Sequence, residues 1–271
     1  TGNNQGLTQA RGEYIVTLNN DTKATPRWLE ILVGAAEANP RAGMVGSRIC
    51  TFHAPDTIDS LGVTICRDGM SRGRFRHRRW SCLDLPEVEE ILLPSACAAL
   101  YKRAMLRQTG FFDDDFFAYA EDTDLGLRGR VAGWEALLAT RALVYHKYSQ
   151  TSGSLSPFKV RLVERNHYWV AVKNFPLPDL LILPWFTALR YAEQFRGMLH
   201  GRGTGAAFLH SESSPQLGKA LLLGMLQALA GIPHMWQKRR QVQQGRKITT
   251  HELTKLLRRH RLTFRELLSH D

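Results

Sequence analysis

Cysteine is scarce in this chain. Its 271 residues contain four, Cys50, Cys66, Cys82 and Cys97, and no two form a CxxC pair. That spacing excludes a cysteine zinc cluster and supplies no disulfide framework, so the thiols read as reduced, as in a cytosolic protein. Internal repeats and low-complexity tracts are absent, which excludes solenoids and fibrous assemblies. No apolar run is long enough to cross a bilayer. The two most apolar stretches, residues 175–189 and 220–233, are short and interrupted by proline. No signal peptide is visible and the first residue is Thr1. The opening Thr-Gly-Asn-Asn reads as the interior of a longer chain whose start is expected upstream.

Acidic residues are scarce in one half only. Residues 1–155 hold 18 Lys and Arg against 18 Asp and Glu, whereas residues 156–271 hold 18 against 7. The whole formal charge of +11 therefore sits in the second half. Such a tail is expected to meet an anionic surface, either a membrane or a nucleic acid. The basic run 72–79 and the tail cations supply phosphate-binding charge. No helix-turn-helix, zinc-finger or RNA-binding motif accompanies them, so nucleic acid is not expected as a partner.

What is present is a globular composition, with 44% hydrophobic residues, and an alternating pattern. Residues 1–11 read as a helix end and 13–18 as a buried strand. A loop at 19–22 follows, then a helix capped by Thr25 with Pro26 at its first position, and a strand at 43–49. This α/β alternation predicts a mostly parallel sheet, with functional loops at the carboxyl ends of its strands. Residues 50–90 read as irregular with short strands, 98–102 as a strand and 103–109 as a helix. A helix begins near Glu121 and ends at Gly133, and two strands follow at 134–139 and 142–146. From residue 157 onward the chain reads as helical: 157–174, 178–199, 215–231, then basic segments. The two apolar stretches within it fit either interfacial helices or a small packed helical domain.

Three places carry chemistry. Asn19-Asn20-Asp21 ends a strand, where Asp21 offers a carboxylate and Asn19 an amide oxygen to a hard divalent cation. An ordinary turn accounts for the same residues. Glu121-Asp122-Thr123-Asp124 places three carboxylates at a helix start, where the dipole is expected to keep Asp122 ionised. Asp124 is expected to pair with Arg128, and 113–115 to form a solvated turn. His146 ends a strand and matters only beside these acids.

These words, in their order, resemble a family 2 glycosyltransferase of the bacterial rhamnosyl- and galactofuranosyltransferase branch. The matching stretches are NNQGL (3–7), ARGEYIVTLNNDT (10–22), GFFDDDFFAYAEDTDLGLRGRVAGW (110–134) and YHKYSQTSG (145–153). The resemblance implies a partial GT-A fold: a Rossmann-like α/β sheet with flanking helices, followed by an α-helical C-terminal region. Residues 1–155 would form the catalytic domain, lacking its N-terminal nucleotide-binding unit, and 156–271 a helical, basic region, whose charge and apolar stretches admit membrane association or packing on the domain. It implies that Asn19, Asn20 and Asp21 bind the donor diphosphate, that Asp21 and His146 hold Mg²⁺ or Mn²⁺, and that Asp122, in its pair with Glu121, is the base. Residues 96–98 resemble the acceptor-side segment, and Arg165 and Asn166 a post-catalytic word. The implied donor is a nucleoside-diphosphate sugar and the acceptor a glycan or polyprenyl-linked glycan. The implied location is cytoplasmic, at the inner face of an anionic plasma membrane. Without the upstream unit, donor binding is expected to be weak, and a catalytically inactive fragment or scaffold is the alternative.

Overall fold

The computed structural model describes residues 2–147, 156–201 and 214–268. Helix α1 (Gly2–Gln9) precedes β1 (Tyr14–Leu18), β2 (Thr22–Ala24), α2 (Trp28–Ala38) and β3 (Ala42–Thr51). Then come four short strands, β4 (Ile58–Ser60), β5 (Val63–Ile65), β6 (Ser71–Gly73) and β7 (Val88–Glu90). Strand β8 (Ala98–Lys102) runs directly into α3 (Arg103–Thr109), and α4 (Glu121–Val131) into β9 (Glu135–His146).

The main sheet has the order β1-β8-β3-β9-β2, with β4 beside β3 and β7 beside β9. It is not mostly parallel. Among these pairs β3 and β9 run parallel and the rest antiparallel. The β1–α2–β3 unit keeps its parallel sense, since both strands run antiparallel to β8, which inserts between them. Strand β4 follows β3 through a loop, which permits an antiparallel neighbour, whereas β8 and β9, joined through α3 and α4, are not neighbours. The expected pair of strands at 134–139 and 142–146 is one strand, β9, whose register shifts opposite Ser47 and Arg48. Thr25 does not cap α2. Its hydroxyl donates to the Leu143 carbonyl at 3.1 Å, extending the β2–β9 contact, and the helix starts at Trp28.

Helix α2 covers one face of the sheet. Leu32, Ala35 and Ala36 recur at helical spacing and pack on Val45, Ile49, Leu100 and Val144. The other face buries Met44, Tyr101 and Leu138 against Leu125 of α4 and Met105 of α3. Such a fully buried leucine as Leu32 is worth about 2–5 kcal/mol against alanine.

The tail is helical: α5 (Pro157–Asn174), α6 (Leu177–Leu199), α7 (Ser214–Gln244), α8 (Thr250–Arg259) and α9 (Phe264–Leu268). Ser156 caps α5 by accepting from the Lys159 amide, with Pro157 at the first position. Pro233 does not end its helix: α7 continues to Gln244. Proline removes one backbone bond, and burial of Met235 and Arg239 beyond it holds the helix on its course. Trp169, Val170, Phe175, Leu183 and Met235 share a core with Val63, Leu92, Phe116 and Leu127 of the sheet region. One face of each apolar stretch therefore packs on α5 and the sheet region, while Leu181, Trp185, Leu226 and Leu229 stay exposed. No described helix is long and apolar enough to cross a membrane.

Two charged segments differ from expectation. Arg74, Arg76 and Arg79 of the basic run are paired with Glu89, Asp59 and Asp56. Asp113 is not in a solvated turn. It is buried between Lys173 of α5 at 2.6 Å and Lys238 of α7 at 2.5 Å. Those two lysines hold its carboxyl well below the usual range against the upward pull of burial. The sequence cannot place α5 and α7 against residue 113, so this burial is invisible in it.

Candidate active site

A cleft of about 570 Å³ opens among β4–β6, the segment before β8, the start of α4 and the start of α5. Asn19, Glu121, Asp122 and His146 line it, with Asp59, Arg76, Ala96 and Lys159. A larger cleft of about 730 Å³ lies between α3, α4 and α7 and holds none of the candidate site residues.

Strand pairing assembles the acid–histidine end. The β1 strand delivers Asn19, whose amide donates to the Cys97 carbonyl at 2.9 Å. Antiparallel pairing puts Thr22 opposite His146, and the Lys147 amide donates to the Asp21 carbonyl. His146 Nε2 then lies 3.2 Å from Asp21 Oδ1, and its Nδ1 lies 2.7 Å from Asp59 Oδ2. Burial pulls the imidazole pKa down, but the two carboxylates outweigh it and the net direction is up. Asp59 is in turn paired with Arg76 at 3.0 Å. Nothing in the sequence marks Asp59, which sits in the irregular stretch 87 residues before its histidine. Asn20 is exposed and does not line the cleft.

This donor set fits a divalent cation. A carboxylate oxygen and an imidazole nitrogen stand at the spacing of adjacent ligands on a cation with bonds of about 2.1 Å. Asp59 on the far nitrogen gives the carboxylate–histidine support usual for metal-bound imidazoles. Among the described residues no group of three or more His, Cys, Asp or Glu is placed to hold a metal. Two protein ligands leave room for phosphate oxygens, the usual arrangement for Mg²⁺.

The other end holds Glu121 and Asp122. Asp122 accepts from the Ala96 amide at 3.1 Å through one oxygen and from the Thr123 amide at 2.7 Å through the other. Opposing influences act on the Asp122 carboxyl at this helix start. Burial pushes its carboxyl above the usual range, and the amide bonds only partly oppose this. Burial and the neighbouring Asp122 push Glu121 up to about 7. One Glu121 carboxyl oxygen is buried with no partner among the described residues. Asp124 faces away from the cleft chemistry, bonded to Arg128 at 2.7 Å, Lys173 at 2.9 Å and Asn174 at 2.9 Å.

The loop before α4 is strained. Phe117, Tyr119 and Ala120 all have φ near +65°, a region L-residues seldom occupy. Asn166 of α5 holds it by donating to the carbonyls of Phe116, Ala118 and Tyr119, and Arg165 by donating to those of Asp115 and Phe116. The ERNHYW word thereby gains a physical role, fixing the backbone that aims Glu121 and Asp122. Residues 148–153 of the last matching word lie outside the described residues.

An α/β sheet with flanking helices, two acids at a helix start and, on the same cleft, a histidine paired with Asp21 define a candidate transferase site. Residues 1–110 match the family described as Glycosyl transferase family 2. The chain is 30% identical over 155 residues to N-acetylglucosaminyl-diphospho-decaprenol L-rhamnosyltransferase of Mycobacterium tuberculosis, covering 52% of this chain and 49% of that protein. It is 29% identical over 161 residues to O-antigen biosynthesis protein RfbC of Myxococcus xanthus, covering 54% of this chain and 12% of that one. The chain thus spans about half or less of the curated relatives it matches. Among solved structures, TarS 1–349 of S. aureus aligns with a TM-score of 0.46 and 14% identity, covering 94% of this chain and 69% of that one.

Proposed function

We propose that this chain transfers a sugar, with inversion, from a nucleoside-diphosphate sugar to a hydroxyl of a glycan or lipid-linked glycan. The observation that carries the reading is one cleft lined both by His146, which pairs with Asp21, and by Asp122. The acceptor hydroxyl gives its proton to an Asp122 oxygen as its own oxygen bonds to the anomeric carbon. The bond from that carbon to the diphosphate breaks, and the nucleoside diphosphate leaves with the electron pair. A raised pKa makes Asp122 a stronger base than an exposed aspartate once it is ionised. No acid is required, because a diphosphate is already a good leaving group. This distinguishes the site from a glycosidase, which needs an acid as well.

Asp21 and His146 would hold Mg²⁺ or Mn²⁺, which when bound neutralises charge on the departing diphosphate. Asn19 lines the cleft, where it can approach the same phosphates. The name of the mycobacterial relative specifies a polyprenyl-diphosphate acceptor, which supports a lipid-linked acceptor here. That acceptor, with the basic tail, supports action at the inner face of a plasma membrane. The test is a screen of sugar nucleotides with Mn²⁺ and Mg²⁺, reading nucleoside diphosphate release. Metal-dependent release with one donor, reduced at least about tenfold in His146→Ala, is expected. Turnover indifferent to chelator and to His146→Ala contradicts the metal assignment.

A further inference from the structure

Helix α7 is apolar on two opposite faces. One face, including Leu217, Gly224, Ala228 and Met235, is buried. It lies on α5: a Cβ at Gly224 would fall 2.6 Å from the Arg161 carbonyl oxygen, and Trp169 Nε1 donates to the Ala228 carbonyl at 3.1 Å. The opposite face carries Leu222, Leu226, Leu229 and Trp236, which are 57, 53, 61 and 39% exposed. Their spacing keeps them on one stripe. Lys219 stands one turn before Leu222 and Arg240 one turn after Trp236, both exposed. The 31 residues of α7 contain no Asp or Glu. Helix α6 repeats the pattern: Leu183, Thr187 and Arg190 are buried, while Leu181 and Trp185 are 84 and 65% exposed.

We propose that the Leu222–Trp236 stripe of α7 docks on the surface of an anionic lipid bilayer. An amphipathic helix lying in the interface presents apolar side chains to the acyl boundary and cations to the headgroups, with tryptophan at the boundary. Lys219 and Arg240 bound the stripe as such cations do, their stems reaching along it and their charges outward. A second copy of this chain is the poorer occupant. Antiparallel pairing of two stripes sets Lys219 against Arg240, and parallel pairing sets each cation against itself; like charges meet either way. The position is also apt. The buried face of α7 meets α5 at Arg161 and Glu164, and Lys159 and Val163 of that same helix line the cleft. Phe117 and Phe158, both exposed, meet edge to face at 6.1 Å beside the same end of α5. A lipid-linked acceptor would thus find the cleft close to its membrane. The usefulness of docking rests on the proposed function, but its test does not.

The test is flotation of the full chain with vesicles of phosphatidylcholine, alone or with about 30% phosphatidylglycerol. The expected result is binding to the anionic vesicles that weakens with salt. It should fall at least about tenfold in Leu226→Asp/Leu229→Asp and at least about tenfold in Lys219→Gln/Arg240→Gln. All four positions are exposed, and thermal melts should show both variants folded. Leu226→Ala/Leu229→Ala provides a milder loss should the aspartates disturb folding. No flotation of the wild-type chain, or equal flotation of all variants, overturns the proposal. So does a dimer in sedimentation that Leu226→Asp/Leu229→Asp dissociates while vesicle binding is absent. Nucleoside diphosphate release with soluble acceptors should be unchanged in these variants. Its absence in every protein, with vesicle binding intact, would count against the transferase reading and leave the docking standing.

Discussion

Two adjacent acids, Glu121 and Asp122, govern what the cleft can do at a given pH. Burial of its carboxyl and the neighbouring Asp122 push Glu121 from an ordinary 4.5 up to about 7. A carboxyl whose folded pKa is raised keeps its proton longer in the folded chain than in the unfolded one. Its contribution is fully favourable below the unfolded pKa and is lost as pH rises to the folded one. Stability should therefore decline between about pH 4.5 and 7 through this group, by up to about 3 kcal/mol. Urea unfolding of the wild type and Glu121→Gln at pH 5 and pH 8 checks this. Glu121→Gln should show a smaller decline; an equal decline in both proteins contradicts it. The acids themselves are legible in the sequence, since EDTD opens a helix. Their protonation is not, because it depends on Ala96 and the cleft wall, and Ala96 lies 26 residues from Asp122. Asp59 shows the same limit: only the pairing of β4 with β3, beside β9, brings it to His146.

At the scale of elements, helices were the readable part. Helices α3 and α5 and strand β8 begin and end where apolar spacing, proline and glycine place them, and α2 ends before Asn39-Pro40 as expected. Strand direction was not readable, because it follows from the partner each strand finds, and β8 reaches its place between β1 and β3 from residue 98. Nor was the contact of α4 with α5, which rests on a buried ion cluster. Asp124 there accepts from Arg128, Lys173 and Asn174, and burial's upward pull on its carboxyl is overcome by the two cations. Removing one partner leaves the others buried without their charge, at a cost of about 3–5 kcal/mol. Asp124→Ala should lose that much in equilibrium unfolding. A loss under about 1 kcal/mol would mean that the cluster is solvated and does not join α4 to α5.

At the scale of the molecule, the sheet region and the helical tail share one core, and each gives the other something. The tail supplies Asn166 and Arg165, which hold the strained loop before Glu121. The sheet region supplies Asp113, Asp115 and Asp124, which neutralise Lys173 and Lys238. The charge asymmetry read from the sequence therefore persists in three dimensions, reduced at that junction and carried on by α7, which has no Asp or Glu, with Lys219 and Arg240 exposed. The cleft depends on both halves, which explains why two short words far apart in sequence were the clearest functional signal. The central claim is that Asp122 takes the acceptor's proton. Sugar transfer and nucleotide-sugar binding, measured side by side for the wild type and Asp122→Asn, test it most directly. Transfer should fall at least about 100-fold, the scale of a lost general base, with donor affinity kept within about twofold. Transfer that persists in Asp122→Asn would contradict the account.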